Sequence, residues 1–341
     1  MNPAAHAFCA TFRVQAPIAN APMANIAGGT LAGAVTSAGG LGLIGGGYGD
    51  VSWIEQQFAI ADHPDVGVGL ITWAVQDQPD LVKCLAAIGV RTFFLSFGDP
   101  TVLLEQIHEV GGRSICQVQT FAEAKHAASS GADAIVAQGN EAGGHGRDNE
   151  SADDLAARIL AEVPSTPLLI AGGKTSGADL VQAWQQGAAG IVVGTAMYAT
   201  TEALDTDAVK QHLATATRND IVRTTVFDLV RGPEWPPGYN GRALTNETTR
   251  RWHSNEDALR AHLDEQRAEY RHATATQDLS RRVIWAGTGV DAVNAVMPAA
   301  DLTRRIINDA ESARDHAPHP GSTSGPGQPK ATATHGSPKT T

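Results

Sequence analysis

Eight short apolar runs, each followed by a helix-like segment, constrain this chain more than any other feature of its sequence. The runs occupy residues 16–23 (APIANAPM), 41–46 (LGLIGG), 66–72 (VGVGLIT), 92–97 (TFFLSF), 114–118 (SICQV), 134–139 (AIVAQG), 168–173 (LLIAGG) and 191–195 (IVVGT). They are continuously apolar rather than alternating, the pattern of strands buried on both faces. Between them, residues 31–40, 81–89, 121–132 and 177–189 place apolar side chains at helical spacing. Three of these segments meet Gly89, Gly131 or Gly187, residues that accept the left-handed conformation of a helix C-cap. Strands alternating with helices imply parallel pairing through right-handed crossovers. Eight such units predict an α/β (β/α)8 TIM barrel. An open doubly wound sheet is the alternative, but it expects G-x-G-x-x-G after its first strand, and GGTLAG (28–33) is a poor match.

The rhythm breaks near residue 205. Residues 231–246 (RGPEWPPGYNGRALTN) read as loop. Residues 250–271 read as a charged helix with Leu259, Leu263, Gln266 and Tyr270 on one face, packed on the barrel or lidding its mouth. A last helix over 299–312 would close the barrel. Residues 313–341 hold almost no apolar side chain and read as a disordered tail. The expected organisation is therefore a barrel from 1–205 and 283–312, a small helical or lid subdomain over 206–282, and the tail.

The formal charge is −11, from 25 Lys and Arg against 36 Asp and Glu, which gives no electrostatic footprint for nucleic acid or an anionic membrane. No apolar run reaches the roughly 18 residues of a membrane span. Cys9, Cys84 and Cys116 are scattered and odd in number, so free thiols and a cytoplasmic location are expected, with no metal site. The fold alone leaves a homodimer open.

In such a barrel, chemistry sits at the C-terminal ends of the strands. After the seventh and eighth strands, Gly172 with Gly173 and Gly194 with Thr195 leave backbone N–H groups open to a phosphate. Lys174 reads first as a solvated helix-start lysine and second as an added charge on that phosphate. After the sixth strand, Gln138 offers a donor and an acceptor. Gly143 and Gly144 then turn the chain and present His145, whose near-neutral pKa suits proton abstraction. Pro22 and Met23, in the APMAN that ends the first strand, form an apolar wall suited to a flat ring.

Taken together, these strings resemble the nitronate monooxygenase family, once called 2-nitropropane dioxygenases. PIANAPMA with LAGAVTSAGGLGLIG is similar to its opening, and IVAQGNEAGGHG to its central signature. LLIAGGKTSG with GIVVGTAMYATTEA is similar to its flavin-phosphate pair, and WPPGYNGRALTN with VIWAGTGV to its closing segments. The resemblance implies an FMN-dependent enzyme that oxidises alkyl nitronates with O2 to carbonyl compounds and nitrite. It implies that Ala21, Pro22 and Met23 lie along the flavin and that Gln138 hydrogen-bonds it. Gly139 and Gly143 belong to the same binding set, and Gly172, Gly173, Gly194 and Thr195 hold the phosphate. His145 becomes the base toward a neutral nitroalkane and positions a ready-made nitronate. Three residues depart from the family pattern. Gly69 stands where many members have Asn, Ser96 stands where a His is common, and Lys174 replaces an apolar residue. Flavin-dependent enoyl-acyl-carrier-protein reductases, which use NADH and carry a similar Gly-Gly-His turn, are the runner-up. A non-redox barrel enzyme acting on a phosphorylated substrate is the third reading.

Overall fold

A computed structural model describes residues 1–315 apart from Pro233. Most of the expected tail, 316–341, lies outside the described residues. Its first three residues do not fit that expectation, because the last helix runs Ala299–Asp315.

The strands follow in chain order as β1 (Ile18–Asn20), β2 (Leu43–Gly47), β3 (Gly67–Ile71), β4 (Thr92–Ser96), β5 (Arg113–Val118) and β6 (Ala134–Gln138), then β7 (Gly144–Gly146), β8 (Leu168–Ala171) and β9 (Gly190–Val193). All except β7 form one parallel sheet in the order β1-β9-β8-β6-β5-β4-β3-β2. A parallel bridge between Ala19 and Leu41 joins its two ends, so the sheet closes into the TIM barrel. The period of two along each strand explains why the runs are apolar throughout. Phe94, Ile115, Val136 and Leu169 fill the barrel interior. Their chain neighbours Phe93, Leu95, Cys116, Ile135 and Ile170 pack outward against the helices.

A helix not foreseen from the sequence, Pro3–Phe12, contributes Phe8 and Phe12 to the interior cluster. Asn2 donates to the carbonyls of Trp184 and Ala188, just ahead of β9, and Arg113 at the start of β5 donates to Thr11 O. The helix therefore closes the N-terminal end of the barrel, leaving the opposite end for chemistry.

After the barrel strands come β10 (Ile221–Thr224) and β11 (Asn240–Leu244). They form an antiparallel sheet in the order β10-β11-β7. Part of the stretch read as loop over 231–246, Asn240–Leu244, is thus strand. Its cross-strand partners are distant in sequence, with Gly241 opposite His145 and Arg242 opposite Gly144. Val226, Phe227, Val230, Ala243, Trp252 and Leu259 make a separate apolar cluster beside this sheet.

Candidate active site

A cavity opens at the C-terminal ends of the barrel strands. Ala21, Pro22, Met23, Gln138, Gly143, His145, Gly172, Gly173, Gly194 and Thr195 all line it. Gly139 does not. Its N–H donates to Ala171 O, and a Cβ there would lie 2.0 Å from Ala152 N, so this glycine serves close packing behind the wall.

At one end of the cavity lie the loops after β8 and β9. Gly172 (φ 115°) and Gly173 (φ 67°) take left-handed backbone that a larger residue resists. A Cβ on Gly194 would meet only the Ala21 Cβ, at 3.8 Å, so the space beside this glycine is open. The short helix Thr195–Tyr198 begins here, and its first N–H groups have no intrahelical acceptor. Thr195 Oγ1 accepts from Gly287 N at 3.0 Å, which leaves the hydroxyl proton free to donate. Lys174 corrects the solvated reading. It is 8% exposed, and its Nζ binds both carboxylate oxygens of Asp153, at 2.9 and 3.1 Å.

Along the floor, the Gln138 amide is oriented by its neighbours. Its Oε1 accepts from Gln117 Nε2 at 3.2 Å and Gln119 Nε2 at 2.7 Å, while its Nε2 donates to His145 O at 3.2 Å. What remains for a ligand is one N–H, so Gln138 meets the cavity as a donor. Pro22 packs so closely on Gly69 that a Cβ there would lie 2.2 Å from the proline ring. The glycine in the middle of β3 is therefore the partner of this proline, and an asparagine has no room in this arrangement.

At the other end stands His145. Backbone pairing of β7 with β11 fixes its main chain. Its Nε2 lies 2.7 Å from Asp228 Oδ1, in the helix Val226–Arg231, and the two side chains are 9% and 10% exposed. Trp235 stacks on the imidazole, with ring centroids 3.5 Å apart and planes 4° from parallel, and Trp285 packs at 4.9 Å. Burial lowers the pKa of His145, with the Asp228 hydrogen bond opposing that shift, so the ring is neutral near pH 7. Arg231 also lines the cavity, its guanidinium 5.6 Å from the Trp285 ring, and it has no ion pair among the described residues. Phe97, at φ 65°, is held in a conformation unusual for an aromatic residue, and its ring packs on Trp235 and Tyr239.

Asp228, Arg231, Trp235 and Trp285 escape the sequence reading, because all four come from the segment without periodic signal. One cue is visible: Asp228 is a single acid among Val226, Phe227, Leu229 and Val230, and an acid in an apolar run asks for a partner. Among the described residues, no cluster of three or more His, Cys, Asp or Glu could hold a metal ion, and no helix is long and apolar enough to cross a membrane.

Comparison with known proteins agrees with this architecture. The chain is 28% identical to a nitronate monooxygenase of Neurospora crassa, over 86% of this chain and 89% of that protein. It is 29% identical to a nitronate monooxygenase of Pseudomonas aeruginosa, over 87% of this chain and 96% of that one. Among solved structures, FabK from Thermotoga maritima superimposes with a TM-score of 0.77 at 25% identity, covering 90% of this chain and 96% of that one. The family model for nitronate monooxygenase matches residues 63–309, most of the barrel together with the whole second sheet. The chain belongs to the nitronate monooxygenase family of oxidoreductases.

Proposed function

We propose that this chain is an FMN-dependent enzyme that oxidises alkyl nitronates, and neutral nitroalkanes once deprotonated, with O2 to carbonyl compounds and nitrite. The observation that carries the reading is the shape of one cavity: an open glycine cradle at one end, a neutral, buried histidine at the other, and a flat apolar wall between. The cradle fits a phosphate. Gly172, Gly173, Gly194 and Thr195 would hold it through backbone N–H groups and one hydroxyl. Pro22 and Met23 would line the ring, and Gln138 would donate its free N–H to a ring acceptor. The flavin, when bound, supplies the redox chemistry with O2, and the protein supplies binding, orientation and charge.

At the far end, His145 accepts a proton from a neutral nitroalkane, and Arg231 supplies the positive charge that a nitronate anion needs. Trp235 and Trp285 shield both from water. Replacing Arg231 by Gln is expected to raise KM for a nitronate about tenfold, the size of one hydrogen bond to a charged group. The kcat changes less, because the group binds rather than reacts. Steady-state kinetics on a preformed nitronate measure both constants, and an unchanged KM removes Arg231 from the substrate site.

The test of the function is the visible spectrum of the purified protein under nitrogen, before and after adding an alkyl nitronate. Bleaching of a flavin spectrum by the nitronate is the expected result. A flavin spectrum that ignores the nitronate but bleaches with NADH transfers the assignment to the enoyl reductase reading. A protein that takes up no FMN on reconstitution overturns the cofactor and leaves the non-redox reading.

A further inference from the structure

We propose that Asp228 is the positioning residue of His145: it fixes the imidazole as the Nε2–H tautomer and leaves Nδ1 as the atom that takes the substrate proton. The inference deepens the proposed function and rests on the base role given there to His145. A carboxylate can only accept hydrogen bonds, so the 2.7 Å contact makes Nε2 the donor. A neutral imidazole carries a single N–H, and with that proton on Nε2 the lone pair lies on Nδ1, which has no hydrogen-bond partner among the described residues.

Rotation of the ring cannot exchange the two nitrogens cheaply. Trp235 covers one face at 3.5 Å and Trp285 approaches at 4.9 Å. The backbone on which the ring stands is paired with Gly241. The contact joins residues 83 apart in the chain, so the base is complete only when the second sheet and the helix Val226–Arg231 dock over the turn after β6.

The charges around the ring give the pair a second task. Burial, Arg231 and Arg223 all disfavour the protonated imidazole, and Asp228 is the group that favours it. In the proton transfer, the α C–H bond of the nitroalkane breaks and its electron pair moves onto the nitro group. The proton goes to Nδ1, and the imidazolium so formed donates from Nε2 to the Asp228 carboxylate. Without that carboxylate the ring is a weaker base with no fixed tautomer, since a carboxamide can donate or accept at the same place.

The decisive experiment is 15N NMR of the histidine side chains in the wild-type protein and in Asp228→Asn, the His145 signals being those missing from His145→Asn. The expected wild-type pattern is a neutral Nε2–H tautomer at pH 7. In Asp228→Asn, the titration midpoint of His145 moves to lower pH and the signals of the two tautomers mix. In kinetics, kcat/KM on a neutral nitroalkane falls about 100-fold, as for loss of effective general-base catalysis, and falls less on a preformed nitronate. Asp228→Glu restores part of the difference. A wild-type ring protonated on Nδ1 at pH 7, or an Asp228→Asn protein with an unchanged His145 titration, overturns the proposal. The wild-type tautomer, assigned through His145→Asn, does not need the Asp228 variant, so the question is answered even if Asp228→Asn fails to fold. The expected NMR pattern in a protein that oxidises no nitro compound keeps the pair and removes the proposed substrate.

Discussion

His145→Asn is expected to lower kcat/KM on a neutral nitroalkane by at least about 100-fold, the low end of what a positioned general base contributes. A preformed nitronate has already lost its α-proton, so its turnover falls less, and the ratio of the two losses isolates proton abstraction from binding. The variant still folds. The main chain of β7 keeps its pairing with β11, and the stacking lost on Trp235 is worth only about 0.5–1.5 kcal/mol. A pH profile sharpens the point. The protonated ring cannot accept a proton, so wild-type activity on the nitroalkane falls as pH drops through the pKa of His145. Burial pushes that pKa below the ordinary histidine value, and the acid limb therefore lies below that value, with activity flat through neutrality. In His145→Asn this limb disappears. Equal losses on both substrates, or a limb that survives the substitution, remove the base role from His145.

The barrel is legible in the sequence because each strand faces apolar surroundings on both sides. Phe93 and Phe94 show the reason: one packs on helices, its neighbour fills the interior, and the pair reads as an unbroken apolar run. The glycine cradle is legible because its position after two particular strands carries the meaning. The second sheet is not. Three residues, Gly-His-Gly, cannot display a strand period, and their partner Asn240–Leu244 follows a stretch rich in proline and glycine that reads as loop. His145 could be picked out by its neighbours in sequence. Asp228 and Trp235, which complete its surroundings, meet it only through docking between distant segments, and nothing local in the sequence shows that contact. Lys174 fails for the same reason, since Asp153 lies in the preceding helix, Ala152–Glu162, and Lys174 in the loop after β8.

Gly194→Val tests the other end of the cavity and is expected to give a folded but nearly colourless protein. Glycines in this barrel serve two purposes that the structure separates. At Gly190 a Cβ would lie 1.8 Å from Pro17 O, so that glycine is required by strand packing and any side chain there strains the barrel. At Gly194 the backbone has negative φ (−102°) and a Cβ finds only the Ala21 methyl, at 3.8 Å, so the chain itself tolerates a side chain. A valine would fill that open space, which the proposed function gives to the phosphate. Losing two hydrogen bonds to a phosphate, at about 1.5–3 kcal/mol each, weakens flavin binding by at least about 100-fold. Flavin content per chain, read beside thermal unfolding of the flavin-free protein, separates the outcomes. Normal unfolding with the flavin lost supports the phosphate site. Full flavin occupancy moves the phosphate elsewhere, and Gly194 then has no reason in the fold to be glycine.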